Sequence, residues 1–571
     1  MTKSTFWTTT VLAAAVALGA CGDDSPSDPT ADPPALTSIS PAQGTVGTEV
    51  RIDGTGFATG EVTVRFGALE SPRVVEAAGA VFALAPAGLV AGTTYDVRVT
   101  NEGSASATLE DAFTAVAPTA SRINGVTKPT GLVGMTIIVE GSAFGDSMAL
   151  SQGTVFFMSS TGTPIEATVA SPGDDWTDGF IVTSVPTGTA DTSLVWVETA
   201  TGVSDSIEFR LIQSGVFSPS FIDWTPTTSL PQPLSGLGAV FVPVEEGPSP
   251  ANYVFTLGGR DAAGAASDVV YRADAQQTGE LGASWTTMTS LPAPRAYAAT
   301  TAATAFTAAL DTATTAAYLY VLGGQDAAGS ATTTVYVGHV GLNGNVTAWT
   351  TTTALPTALH SAGAVMFRGF LYLAGGATND DAAVATTYRA AVNADGTLGA
   401  WETLDALPTP AAYFALVNFG PYIYAVGGDA GTTAPEQFTT SNTERAGVDL
   451  VRLDLRTGGF TSAGWVATEA MSKARSKHST IFGGGALFTT SGVYFGQAGS
   501  SENTFAMVNS DGTLGSWQGA TGADIISSEL GISLYNQAAV TFVDASGTGH
   551  VLVIGGADRA NGAPSAGVVY Y

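Results

Sequence analysis

From residue 217 to the end of this 571-residue chain, one pattern is written six times: an apolar strand, a second strand closing on paired glycines, a polar loop, a third strand, then a tryptophan. The tryptophans are Trp224, Trp285, Trp349, Trp401, Trp465 and Trp517. The glycine pairs are Gly258-Gly259, Gly323-Gly324, Gly375-Gly376, Gly427-Gly428 and Gly555-Gly556, with a degenerate Gln497-Ala498-Gly499 expected to stand for the pair in the fifth unit. One such unit, of about 50 residues, cannot bury both of its faces alone and must stack on neighbours. The repeat therefore specifies an array before any single strand is assigned.

The clearest unit reads SAGAVMF (361–367), FLYLAGG (370–376), TTYRAAV (386–392) and GTLGAW (396–401). Each run is short, rich in β-branched or aromatic residues and bounded by Gly, Asn or Asp, as strands are. Four strands per unit and no helical pattern define the blade of a β-propeller. Asp395-Gly396, Asp511-Gly512 and Asn343-Gly344 fall between third and fourth strands, where such pairs supply the positive φ of a tight hairpin turn. A calcium-loop reading of these acidic turns is the alternative to the turn reading.

The double glycine after the second strand and the tryptophan of the fourth resemble the kelch family of propellers, over residues 218–571. The resemblance implies a six-bladed, galactose oxidase-like β-propeller. Its glycines are shaping residues, because a Cβ there would meet the neighbouring strand. The last residues, Val568 to Tyr571, align with third strands such as 334–337, so the sixth blade lacks its own fourth strand. The segment 217–224 is expected to complete it and close the ring, since an open edge is a liability.

Residues 1–21 read as a targeting segment, with Lys3 before an apolar run (6–18) and Leu18-Gly19-Ala20-Cys21 at its end. This resembles the lipobox of bacterial lipoproteins and implies that Cys21 becomes the lipidated N-terminus. Cys21 is the one cysteine of the chain, so no intrachain disulfide can form. Gly22 follows it rather than aspartate, which by the same resemblance points to the outer membrane or cell surface. Residues 22–35, GDDSPSDPTADPPA, cannot build a core and are expected to be a disordered tether.

Beyond the tether, SISPAQGTVGTEVRIDGTGF (38–57), VTVRFG (62–67) and YDVRVTNEGSAS (95–106) alternate in strand fashion with glycine punctuation. The pattern resembles an IPT/TIG domain, an immunoglobulin-like β-sandwich. A weaker copy starts at INGVTKPTGLVGMTIIVEGSAF (123–144), with later strands expected near 154–157, 193–198 and 207–211. The expected organisation is a signal segment 1–21, tether 22–35, sandwiches 36–116 and 117–213, and a propeller 217–571: an all-β chain of two immunoglobulin-like sandwiches followed by six blades. Neither sandwich gathers catalytic residue types, and the pair reads as a stalk.

Forty-nine acidic against 20 basic residues give a formal net charge of −29. Such a chain repels phosphate backbones, which argues against nucleic acid as a partner. The acid is scattered through loops, as on a hydrated exterior.

The segments leading into each innermost strand are aligned by their Leu-Pro pairs: LPQPLSGLGAV from Leu230, LPAPRAYAATT from Leu291, LPTALHSAGAV from Leu355, LPTPAAYFALV from Leu407, then SKARSKHSTIF from Ser472 and LYNQAAV from Leu534. They carry Arg295, Tyr297, His360, Tyr413, Arg475, Lys477 and His478, with Tyr535 and Asn536, near one mouth of the channel. In a chain with four histidines and 20 basic residues, this gathering suggests a polar, partly cationic pocket for an acidic sugar or another carboxylate. The alternative is that Arg and His cap strand ends and pair with carboxylates of adjacent blades.

Two propeller enzyme families bear on activity. A galactose oxidase cofactor needs a tyrosine–cysteine cross-link, which a chain with no cysteine beyond Cys21 cannot make. Six-bladed sialic acid mutarotases match in blade number, yet no glutamate falls on a recognisable catalytic motif; Glu402, Glu436, Glu444 and Glu529 are loop candidates. No HExxH, Walker loop, CxxC pair or serine elbow occurs. Asn379-Asp380-Asp381 offers oxygen ligands without the spacing of a calcium loop. No catalytic residue, cofactor or metal ligand is assigned, and calcium at an acidic loop stays open. The expectation is a lipid-anchored envelope protein that recognises a glycan or a protein without turnover, the alternatives being a sugar-modifying enzyme and a structural envelope component.

Overall fold

The computed structural model describes residues 33–57, 62–77, 79–101, 105–124, 129–169, 175–212, 224–244, 251–276, 278–304, 307–308, 310, 314–432, 434, 443–455, 457–494, 503–519, 530, 533–543 and 549–571. Cys21, Glu436, Glu529 and residues 497–499 lie outside them. Six antiparallel four-stranded sheets follow one another from residue 225 to the end. In the third, Gly363–Phe367 pairs with Phe370–Ala374, which pairs with Thr387–Ala391 and then Glu402–Leu404. The innermost strands neighbour each other in turn, and Ala538–Val543 of the sixth sheet returns to Gly238–Val244 of the first. The chain is all β in its architecture: two β-sandwiches followed by a six-bladed propeller.

Closure uses the start of the propeller chain. Thr225–Pro226 pairs with Val568–Tyr570, Thr225 opposite Tyr570 and Pro226 opposite Val569, and so supplies the fourth strand of the sixth blade. The pairing strand begins just after Trp224 and not within the expected segment 217–224, of which 217–223 lie outside the described residues; Trp224 is itself buried against Phe488. Proline is tolerated because this is an outer strand.

Two rings of backbone hydrogen bonds join the blades. In the inner ring each amide donates to the carbonyl of the equivalent residue one blade back: Tyr297 to Gly236 (2.8 Å), Ser361 to Tyr297 (2.7 Å), Tyr413 to Ser361 (3.1 Å), Lys477 to Tyr413 (2.8 Å), Asn536 to Lys477 (2.9 Å) and Gly236 to Asn536 (2.8 Å). All six residues have φ between 53° and 57°, five of them without being glycine. A left-handed residue is costly for an L-amino acid and persists where the surroundings over-determine it. In the outer ring the second glycine of each pair donates to the next blade: Gly259 to Arg295, Gly324 to Leu359, Gly376 to Ala411, Gly428 to Arg475 and Gly556 to Leu234.

The fifth blade corrects the sequence expectation. Its place in the outer ring is taken by Gly492, whose amide donates to Leu534 O at 3.0 Å. The pair is thus Ser491-Gly492, with Ser491 at φ 60° and Gly492 at 96°, and not Gln497-Ala498-Gly499. Ser491 stands in the left-handed conformation that Gly258, Gly323, Gly375, Gly427 and Gly555 adopt at φ near 60°.

The tryptophans are latches between blades. Trp285, Trp349, Trp401, Trp465 and Trp517 donate their indole N–H to the carbonyls of Thr228, Thr289, Thr353, Asp405 and Glu469, at 2.8–3.2 Å. Tyrosines of the second strands add to them: Tyr320, Tyr372 and Tyr424 donate to Gly396, Gly458 and Gly512 in the next blade's hairpin turn. The Asp-Gly turns have the geometry their sequence demands, Asp395 and Asp511 accepting from the amide and hydroxyl of Thr397 and Thr513.

Both sandwiches lie before the propeller. The first encloses Val50, Ile52, Val64, Phe66, Val97, Val99 and Phe113 between a four- and a five-stranded sheet. The second encloses Val139, Val155, Phe157, Ile181, Val195, Val197 and Phe209, with Trp176 donating to Phe144 O at 2.9 Å. Its strands Thr154–Met158, Thr192–Thr199 and Ile207–Leu211 fall within a residue of their expected limits. The sheet containing Thr136–Ser142 seats on the propeller, with Ile138 against Val365 and Phe367 and Glu140 accepting from the Arg368 guanidinium. The two sandwiches meet through Thr48, which donates to Asp178, and through the Asp146 amide, which donates to Gly47 O at 2.9 Å.

Candidate functional site

The inner ring encircles one end of the propeller channel, and its side chains converge there because a left-handed backbone redirects the Cα–Cβ bond away from the strand that follows. Tyr297, Ser361, Tyr413, Lys477 and Asn536 occupy five ring positions, and Gly236 leaves the sixth bare. Residues just before them pair with residues just after the glycine pairs: Ser235 with Arg260, Ala296 with Gln325, His360 with Ala377, Ala412 with Asp429, Ser476 with Val493 and Tyr535 with Ala557. The loops after the second strands are therefore brought to the same end as the ring.

One of the ring positions is taken by Lys477, 3% exposed. Its ammonium lies 4.9 Å from the centroid of the Tyr413 ring and donates to Ala434 O at 2.9 Å. Burial pushes its pKa down to about 8, against the opposing charges of Asp429, Glu444 and Asp381. Asp429 is buried and accepts from the amide of Gly431 and the hydroxyl of Thr443. One cation thus faces three carboxylates carried by the loops after the second strands.

His360 is fully enclosed, its Nε2 3.2 Å from Asp381 Oδ1 and its Nδ1 3.1 Å from Ser361 Oγ. Burial lowers its pKa and the Asp381 charge opposes that shift. Its ring lies 6.0 Å from that of Tyr413. The hydroxyls of Tyr297 and Tyr413 are pushed above the usual phenol range by burial, and both stay protonated at neutral pH. This end of the channel thus gathers two neutral phenols, a histidine, one amine and several carboxylates.

Of the residues expected at the mouth, Tyr297, His360, Tyr413 and Lys477 are brought together, and Arg295, Arg475 and His478 are not. Arg295 runs between the first two blades, its guanidinium 4.9 Å from the Tyr336 ring and donating to Tyr336 Oη at 3.1 Å. Arg475 is wholly buried two positions before the ring residue, as Arg295 is. His478 follows Lys477 and is wedged against Gly427 and Gly492 between the fourth and fifth blades. Burial, with the Arg475 charge, pushes His478 down to about 3. Arg295 is thus spent on blade packing, while Arg260, placed directly after Gly258-Gly259, acts on the Tyr297 hydroxyl, so cations and carboxylates both stand at this end.

Asp381, read from sequence as part of a surface loop, faces His360, while Asn379 accepts from the Ala331 amide of the adjacent blade at 2.6 Å. Two of the three side chains in that run are thereby engaged within the protein. Asp429 went unread; its signal was its place directly after Gly427-Gly428, where Arg260 and Gln325 also stand. Glu444 reaches the site, whereas Glu402 pairs with Arg389 on an outer strand. Among the described residues no group of three or more His, Cys, Asp or Glu could hold a metal ion.

Fold and site together define a six-bladed β-propeller preceded by β-sandwiches, with a buried polar cluster at one end of its channel. Residues 34–115 match the IPT/TIG domain family, so the first sandwich is an IPT/TIG domain. No curated protein matches the chain. The solved structure of YjhT aligns with a TM-score of 0.42 at 14% identity, covering 59% of this chain and 95% of that one.

Proposed function

We propose that this chain is an exported, lipid-anchored envelope protein whose propeller recognises a polyhydroxylated, uncharged ligand, a glycan, at the end of the channel formed by the inner ring. The observation that carries this reading is Lys477 surrounded by Asp381, Asp429 and Glu444 beside two neutral tyrosines. Carboxylates and phenols held by a rigid ring are hydrogen-bonding partners for sugar hydroxyls, and they are pre-organised at little entropic cost on binding. The three carboxylates that act on Lys477 disfavour an anionic ligand beside it. The second sandwich would be a further IPT/TIG-like domain, and Cys21 the anchor to the outer membrane.

A glycan screen on residues 22–571, run with calcium and again with chelator, tests the reading. Saturable binding to an uncharged glycan that Lys477→Met or Asp381→Asn weakens at least tenfold supports it. Binding confined to acidic glycans, or no binding in either condition, rejects it and shifts weight to a protein partner. For the anchor, Cys21→Ser should move the protein from the membrane to the soluble fraction; retention in the membrane overturns that part.

A second reading has its own observation. An amine with a pKa of about 8 beside a histidine–carboxylate pair is also suited to proton transfer. Accelerated interconversion of a reducing sugar's anomers, abolished by Lys477→Met, would select a sugar-modifying enzyme instead.

A further inference from the structure

The second sandwich turns one sheet to the propeller and the other away from it. On the sheet turned away, Phe156 and Trp196 are directly paired across Thr154–Met158 and Thr192–Thr199. Their rings are stacked, 5.5 Å between centroids and 19° between planes. Both point outward, since their neighbours Val155, Phe157, Val195 and Val197 form the core. Leu194, on the same face, is 45% exposed.

We infer that this aromatic face is a second carbohydrate site, for an uncharged polysaccharide chain lying across the sheet. Three observations support that occupant. The indole is held in place by its N–H donating to Glu198 Oε1 at 3.0 Å, so little freedom is lost when a sugar ring stacks on it. The C–H face of a pyranose is an apolar surface that an aromatic ring covers well. Around the rings stand Glu166, opposite Phe156, and Glu198, with Glu208 opposite Leu194 and Arg210 beside it, 3.5 Å from Glu208. Three carboxylates against one guanidinium supply acceptors for hydroxyls and repel anionic polymers and phosphate surfaces. The face lies on a different domain from the channel site, so the two can be removed separately.

Affinity electrophoresis of the intact chain, through gels containing soluble mixed-linkage β-glucan, galactomannan, xyloglucan or alginate, tests the inference. Retardation by at least one of the three uncharged polymers and none by alginate is expected, with the dissociation constant raised at least tenfold in Trp196→Ala and unchanged in Val466→Lys, an exposed position on the outer propeller strand Phe460–Ala467. Leu194→Lys, at an exposed position outside the core, should also weaken binding and guards against misfolding of the tryptophan variant. Overturning results are no retardation by any uncharged polymer, retardation that Trp196→Ala and Leu194→Lys leave unchanged, or a concentration-dependent dimer that both variants abolish, which would assign the face to a second copy of the chain.

Discussion

The amide of Gly236 donates to the carbonyl of Asn536 at 2.8 Å, joining the first blade to the last with the same bond that links every other neighbouring pair in the ring. The closure of the propeller is therefore written in the backbone as well as in the outer strand contributed by Thr225–Pro226.

Left-handed geometry at the ring makes side-chain branching the sensitive variable. Ser361→Val, at φ 53°, is expected to destabilise the propeller by about 1–3 kcal/mol, whereas Ser361→Gly should be close to neutral. Urea unfolding followed by tryptophan fluorescence reads the difference; equal midpoints for the two variants would mean the ring is not under conformational constraint.

Trp224 anchors the closing strand. Its truncation in Trp224→Ala should cost roughly 3–5 kcal/mol, as for other buried tryptophans. Deleting residues through Trp224 should lower the melting temperature of the propeller further. An unchanged melting temperature in the deletion would show that the sixth blade is complete without it.

Lys477 links stability to alkaline pH. Its folded pKa of about 8 lies below the ordinary 10.5, so between these values the unfolded chain holds the proton that the folded chain has lost. Stability should therefore rise as pH increases from about 8 to 10.5, recovering up to about 3 kcal/mol. The comparison is between the chain and Lys477→Met, measured as the difference in unfolding free energy at pH 7.5 and 9.5. A difference independent of pH would refute the depressed pKa.

His478 does the same at acid pH. Folded, it stays neutral down to about 3, while the unfolded side chain takes up a proton near 6.5. Its contribution is fully present above 6.5 and is lost as pH falls from there towards 3. His478→Gln should flatten the melting temperature between pH 6.5 and 4. If the variant loses stability over that interval as steeply as the parent, His478 is not the acid-sensitive group.

Much of the propeller was legible because glycine pairs and tryptophans mark the same backbone events in each blade: a left-handed turn and an indole latch. The fifth blade misled because Ser491 adopts a conformation that sequence associates with glycine, while Gln497-Ala498-Gly499 imitates the pattern a few residues later. The site was legible as a column of polar residues but not as a direction. Arg295 and Tyr297 are two positions apart, yet the first packs between blades and the second stands in the inner ring, since the left-handed turn falls on Tyr297. Polarity at Arg475 and His478 resembled that at Lys477 for the same reason. Asp429 had only its place after Gly427-Gly428 to mark it, because the approach of its loop to the ring is established by the pairing of Ala412 with Asp429. The Phe156–Trp196 pair needed the register between two strands, which alternation alone leaves free.

The ring of six amides and six carbonyls runs in a single rotational sense, each blade giving to the one before it. Such a circuit has no first member. Severing the chain in any of the exposed 3–4 hairpins, such as the one at Asp395-Gly396, and rejoining it across Tyr571 and Thr225 would leave each of those bonds in place, so the position of the ends around the wheel is free to vary while the number of blades is not.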